Sequence, residues 1–180
     1  QRGVIVQSPV MHNRGSIDVT RANVLAGVFQ NAQSLKARDS LEVKARRLRG
    51  GRGHQIVSQG KLGIWTENPF ENQGTIEGRV LQYEGPSLLN RGRFIGLDQT
   101  LFRGAQQFTN TPGGVAHLTG FDSSASPALR TLFNQGDLKL TQFRSLGSIQ
   151  SIDSAGETVL SHALGRRGNV ALEAVTNRRG

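Results

Sequence analysis

Phe70-Glu71-Asn72-Gln73-Gly74-Thr75-Ile76-Glu77-Gly78 and Leu89-Asn90-Arg91-Gly92-Arg93-Phe94-Ile95-Gly96 are two copies of one pattern. An Asn is followed two places later by a Gly, and then by a short run carrying an apolar residue. The same signature stands at Asn13-Arg14-Gly15, ahead of Ile17, and at Asn134-Gln135-Gly136, ahead of Leu138. Looser copies occur at Phe29-Gln30-Asn31, at Phe108-Thr109-Asn110 ahead of Gly113, and at Val175-Thr176-Asn177 ahead of Gly180. The Asn positions are 13, 31, 72, 90, 110, 134 and 177, with spacings of 18, 41, 18, 20, 24 and 43. The two long intervals are about twice the short ones, so a repeat of roughly 20 residues runs through the chain. The skipped copies fall at Gly50 to Gly53 and at Asp153-Ser154-Ala155-Gly156, both turn-like in composition.

Between the turns lie short alternating runs: Ser16 to Thr20, Ser40 to Lys44, Lys61 to Trp65, Asp137 to Thr141 and Asn169 to Glu173. Alternation at period two means strands with one buried face. Helical periodicity is weak throughout, and only Ala26 to Lys44 reads either way. Short strands punctuated by Asn and Gly every 20 residues or so fit a chain that coils, each turn stacking on the last in parallel sheets. The expected fold is therefore all-β, a right-handed parallel β-helix over residues 1–180 as a single segment. In it, Gly supplies positive φ at the corners, Asn tolerates the left-handed region, and stacked Asn side chains form a hydrogen-bonded ladder. Phe29, Phe70, Phe108 and Phe133, one or two residues before a turn Asn, are expected to stack in the core. Leucine-rich repeats have a similar length but need a denser Leu signature with a helical segment. The competing architecture is an ordinary β-sandwich.

The chain has 180 residues and a net charge of +9, with 22 Lys+Arg against 13 Asp+Glu, 23 Gly and no Cys. At 36% hydrophobic residues it can bury a core. No window approaches the roughly 18 apolar residues of a membrane helix, so no membrane insertion is expected. The first residue is Gln1 and no basic-then-apolar leader follows, which suggests a chain cut from something longer. Absence of Cys fits a reducing cytosol, or an exoprotein that crosses a membrane unfolded. Of the basic residues 18 are Arg and 4 are Lys. Arg presents a planar fork matched to phosphate, sulfate or carboxylate, so the bias points to a polyanion; a genome rich in G+C would produce the same bias.

The segments around Asn72, Asn90 and Asn134, and Gly168-Asn169-Val170-Ala171-Leu172-Glu173-Ala174, resemble the repeats of filamentous haemagglutinin-type exoproteins. The resemblance covers most of the chain in short degenerate copies. It implies a fragment of a long β-helical shaft, exported by two-partner secretion through an outer-membrane transporter and placed at the bacterial cell surface. Members of the family act as adhesins or carry contact-dependent toxins. The Asn-Pro motifs of the family's secretion domain are missing, since Asn68-Pro69 lacks their context, and there is no Arg-Gly-Asp tripeptide.

The densest basic cluster comprises Lys44, Arg46, Arg47, Arg49 and Arg52, with no acid between Lys44 and Glu67. In an extended strand Lys44 and Arg46 point one way while Arg47 and Arg49 point the other, so a bulged or looped excursion is expected. Such a loop offers guanidinium forks to a host-cell sulfated polysaccharide or another polyanion, against the alternative of a solvated charge run. Arg91 with Arg93, Arg166 with Arg167 and Arg178 with Arg179 lie near turns and would extend it into a stripe if they share a face. Nucleic acid is disfavoured, because aromatics are 6% of the chain and none interleave with the Arg cluster.

No catalysis, metal or cofactor is expected. The acids are scattered without an Asp-x-Asp pair, and His12, His54, His117 and His162 are not at ligand spacing. The glycine pairs lack a phosphate-loop or dinucleotide fingerprint. A glycan-cleaving β-helix enzyme or a glycan-binding fibre is the alternative to a non-catalytic adhesive shaft, and an aromatic sugar platform is the minority reading of Trp65, Tyr83 and the eight Phe residues.

Overall fold

The computed structural model describes residues 3–122, 125–143, 149–162 and 174–177. They form a parallel β-helix. The first three turns are long strands, β1 (Gly3–Asn13), β2 (Ser16–Asn31) and β3 (Ser34–Gly50). From Gln55 onward each turn divides. The longer sheet continues through β4 (Gln55–Thr66), β6 (Thr75–Glu84), β8 (Arg93–Arg103), β10 (Val115–Thr119), β12 (Asp137–Phe143) and β14 (Glu157–His162). The shorter sheet holds β5 (Phe70–Asn72), β7 (Ser87–Asn90), β9 (Gln107–Asn110), β11 (Thr131–Asn134), β13 (Ser151–Ser154) and β15 (Ala174–Asn177). Every pairing among these strands is parallel, giving sheets of nine and six strands in chain order apart from the alternation between them. The ambiguous stretch from Ala26 to Lys44 is strand on both sides of a tight turn. The run from Asn169 to Glu173 lies outside the described residues.

Register explains why the repeat was visible. Ile17 pairs with Leu35, Leu35 with Ile56, Ile56 with Ile76, Ile76 with Phe94, Phe94 with Ala116 and Ala116 with Leu138. One apolar position per turn thus becomes one continuous inward column. In the shorter sheet Leu88, Phe108, Leu132 and Ile152 form the equivalent column, with Phe29, Leu48 and Phe70 buried at the matching place in earlier turns. Phe133 does not belong to it. It stands one residue before Asn134, so alternation turns it outward and Leu132 takes the core position. Phe94, Phe102 and Phe108 meet inside the helix, with ring centroids 5.4 to 5.9 Å apart.

The Asn ladder is present. Asn13 Nδ2 donates to Asn31 Oδ1 at 2.7 Å, Asn72 to Asn90 at 2.7 Å, Asn90 to Asn110 at 2.8 Å, and Asn110 to Asn134 at 2.9 Å. Each Nδ2 also reaches a backbone carbonyl at the start of the strand above, such as Arg93 O for Asn72 and Val115 O for Asn90. Ser154 fills the skipped copy near the C-terminus: it pairs with Asn134 in register and accepts from that residue's Nδ2.

The glycines of the Asn-x-Gly signature serve a different purpose from the one expected. Among the described glycines positive φ occurs at Gly53, Gly104, Gly113 and Gly120, so the looser copies use it at Gly53 and Gly113 as expected, while the strict Asn-x-Gly glycines do not. Instead Gly74 N and Gly136 N donate to the Oδ1 of their own Asn two residues before. A Cβ on Gly92 would run into the carbonyl oxygen of Gly74, and one on Gly136 into that of Gly114. Close stacking of turns, rather than backbone handedness, excludes a side chain there.

Candidate functional site

Lys44, Arg46, Arg47 and Arg49 all lie in strand β3, so the expected loop is confined to the turn from Gly51 to His54, which holds only Arg52. The reason is a corner within the strand. Ala45 and Leu48 are buried while Arg46 and Arg47 between them are both exposed, so one inward step is skipped without a bulged excursion. The five cations therefore split between two surfaces.

Lys44 belongs to an outward column in which Leu25, Lys44, Trp65, Glu84 and Arg103 sit on successive turns. Its Nζ is 5.0 Å from the Trp65 ring centroid and 3.9 Å from the Glu42 carboxylate. Arg46 approaches Glu67 at 3.5 Å, with both side chains mostly exposed. Lys44 and Arg46 line one groove together with Trp65, Glu67 and Glu84. Each cation there has an acidic neighbour.

Around the corner the balance differs. Arg47 and Arg49 line a shallow depression with Glu71 and Gln73, and Arg52 lines an adjoining one with the same two residues and Arg91. Glu71 is thus common to both and is bound to Arg91 Nε at 2.7 Å. Four arginines thus line two depressions that share a single carboxylate. Arg47, Arg49 and Arg52 have no ion pair among the described residues. Arg93 does not line either depression, and residues 166, 167, 178 and 179 lie outside the described residues. Stacking brings Arg91 to Arg52 across many residues of chain, which no linear reading of the cluster contains.

The turn carrying Arg52 is built around His54. Gly50 is the residue in register with Asn31, so this turn has no ladder side chain. The His54 imidazole occupies that space: a Cβ on Gly50 would collide with its ring. Nδ1–H donates to Gly51 O at 2.7 Å, which leaves Nε2 as a buried lone pair without a partner. Burial lowers the His54 pKa, with the Gly51 bond acting in the opposite sense.

Among the described residues no group of three His, Asp or Glu side chains is placed to hold a metal ion, and no helix is long and apolar enough to cross a membrane. His117 and Lys139 both approach Asp137, at 3.9 and 3.8 Å. The arrangement defines a parallel β-helix protein whose outer surface is unevenly charged. Comparison with protein-family models, with curated proteins and with solved structures returns no match.

Proposed function

We propose that the chain is a non-catalytic shaft segment of a secreted bacterial surface adhesin, and that it binds a sulfated polysaccharide through Arg47, Arg49, Arg52 and Arg91. The observation that supports this reading most is the excess of guanidinium groups around Glu71 on the shorter-sheet side. Arg47, Arg49 and Arg52 belong to one turn and Arg91 to the turn two steps further along the axis, so together they offer several bidentate donors to a polyanion lying across them. The resemblance to filamentous haemagglutinin-type repeats supports the adhesin context and an outer-membrane transporter as export partner. The lack of Cys agrees with passage unfolded, and a solenoid can then form turn upon turn on the far side.

Retention on immobilised heparin across a salt gradient tests the proposal. Arg47, Arg49 and Arg52 changed together to Ala should elute at much lower salt than the parent. Arg38, Arg79 and Arg103 changed to Ala remove the same charge elsewhere and should shift elution far less. Equal shifts would mean that net charge alone governs retention and would sink the site. Release of shortened products from the polysaccharide would overturn the non-catalytic reading in favour of a glycan-cleaving enzyme.

A further inference from the structure

The groove around Trp65 is a different kind of surface from the Arg depression. Its floor is made of small residues at one corner of successive turns: Ala26, Ala45, Thr66, Gly85 and Gly104. One wall is the outward column of Leu25, Lys44, Trp65 and Glu84, and Leu25 is exposed there. Arg46 and Glu67 face it across the floor. The groove reaches from Ser8 in the first turn to Gly104 in the sixth, a run of about 24 Å parallel to the axis at the usual strand spacing.

Trp65 is held in place for use from outside. Its ring rests on Gly63, where a Cβ would collide with the ring carbons. Its Nε1–H donates to Glu84 Oε2 at 2.7 Å, and Lys44 approaches the ring from the turn before. The side chain is half-buried, so it is fixed without being part of the core. An immobilised aromatic ring beside an open groove presents a low-entropy apolar platform.

The charges identify the occupant. Lys44 and Arg46 are balanced in the groove by Glu67 and Glu84, so there is no excess of either sign to attract a polyanion or a polycation. Two carboxylates and two cations on the walls do provide acceptors and donors for hydroxyl groups. Backbone groups at this corner are already paired between turns: Asn68 N with Arg46 O, Gly85 N with Arg103 O, and Gln106 N with Pro86 O. A peptide lying along the groove therefore crosses strands that are already paired, the one open edge it meets being that of terminal strand β1 at the groove's end. We infer that the groove binds an uncharged, extended oligosaccharide, one of whose rings stacks its C–H face on Trp65 while its hydroxyls bond to Glu67, Glu84 and Arg46. This goes beyond the proposed polyanion site and does not depend on it.

Trp65 is the only Trp in the chain, so its emission reports this groove alone. The test is a fluorescence and calorimetric titration with cello-, manno- and chito-oligosaccharides of increasing length. At least one series should give a saturable, salt-insensitive change, with affinity rising with length. Trp65→Ala should weaken binding about tenfold or more, the loss of one aromatic contact. Gly63→Ala keeps the Trp but unseats it and should weaken binding too, which covers the case in which Trp65→Ala fails to fold. The Arg47, Arg49 and Arg52 triple variant should bind these sugars like the parent, so failure here and failure at the heparin site are separable. Absence of a saturable change in every series, parent-like affinity in the Gly63→Ala variant, or saturation only by an extended peptide would overturn the inference.

Discussion

Asn90 shows what one buried amide does in a stack. Its Oδ1 accepts from Asn72, and its Nδ2 reaches Asn110 Oδ1, Gly92 O and Val115 O. It is fully buried, so Asn90→Ala leaves partners above and below unsatisfied; we expect a loss of about 3 kcal/mol in denaturant unfolding. Asn23 is half-buried on the outer side and forms no such ladder, and Asn23→Ala should stay within about 0.5 kcal/mol of the parent. His54 yields a pH dependence. Its folded-state pKa is lowered, so the unfolded chain binds the proton first as pH falls. The His54 contribution is therefore complete above the ordinary value of 6.5 and is lost as pH falls below it toward the folded-state value. Melting temperature followed through that window should fall with acid in the parent, and His54→Gln should remove that share of the slope. An unchanged slope would contradict the buried-imidazole account. The ladder Asn residues were legible in the sequence because most turns carry an amide at the same place. His54 was not, because it reaches its place from four residues beyond Gly50, outside any alignment of the repeat.

At the scale of a strand and its turn, period-two alternation revealed which residues face inward wherever the strand is straight. It could not locate the corners, and the corners decide the surface. The skipped step between Arg46 and Arg47 sends Lys44 and Arg46 to one side and Arg47 and Arg49 to the other. A one-residue offset likewise removes Phe133 from the aromatic column. Trp65 and Glu84 joined Lys44 through stacking: they stand one and two turns away in register, a signal that becomes readable when turns are written beneath one another. The signature glycines separate two causes by experiment. Gly92→Ala must push the turn away from Gly74 and should cost about 1–3 kcal/mol. Gly15 has nothing within reach of an added Cβ, and Gly15→Ala should be close to neutral in the same unfolding assay. Equal costs at the two positions would argue for a conformational role instead of close stacking.

For the molecule as a whole, nine strands in one sheet make a stack about 40 Å long, in which nearly all contacts join residues one turn apart. Both proposed surfaces exist only because of that arrangement: the Arg depression needs Arg52 beside Arg91, and the groove needs Leu25, Lys44, Trp65 and Glu84 in file. A β-sandwich built from the same strands would pair neighbours antiparallel and scatter both sets. The most direct test uses the absence of native Cys. Leu89 pairs in register with Thr109, and Thr109 with Phe133, all three facing outward. Leu89→Cys with Thr109→Cys should form a disulfide rapidly under mild oxidation, because paired parallel strands lie about 4.8 Å apart, within bridging distance. Leu89→Cys with Phe133→Cys, separated by two turns at about 10 Å, should remain reduced. Bridging of the second pair, or of neither, would contradict the stacked parallel turns on which both sites depend.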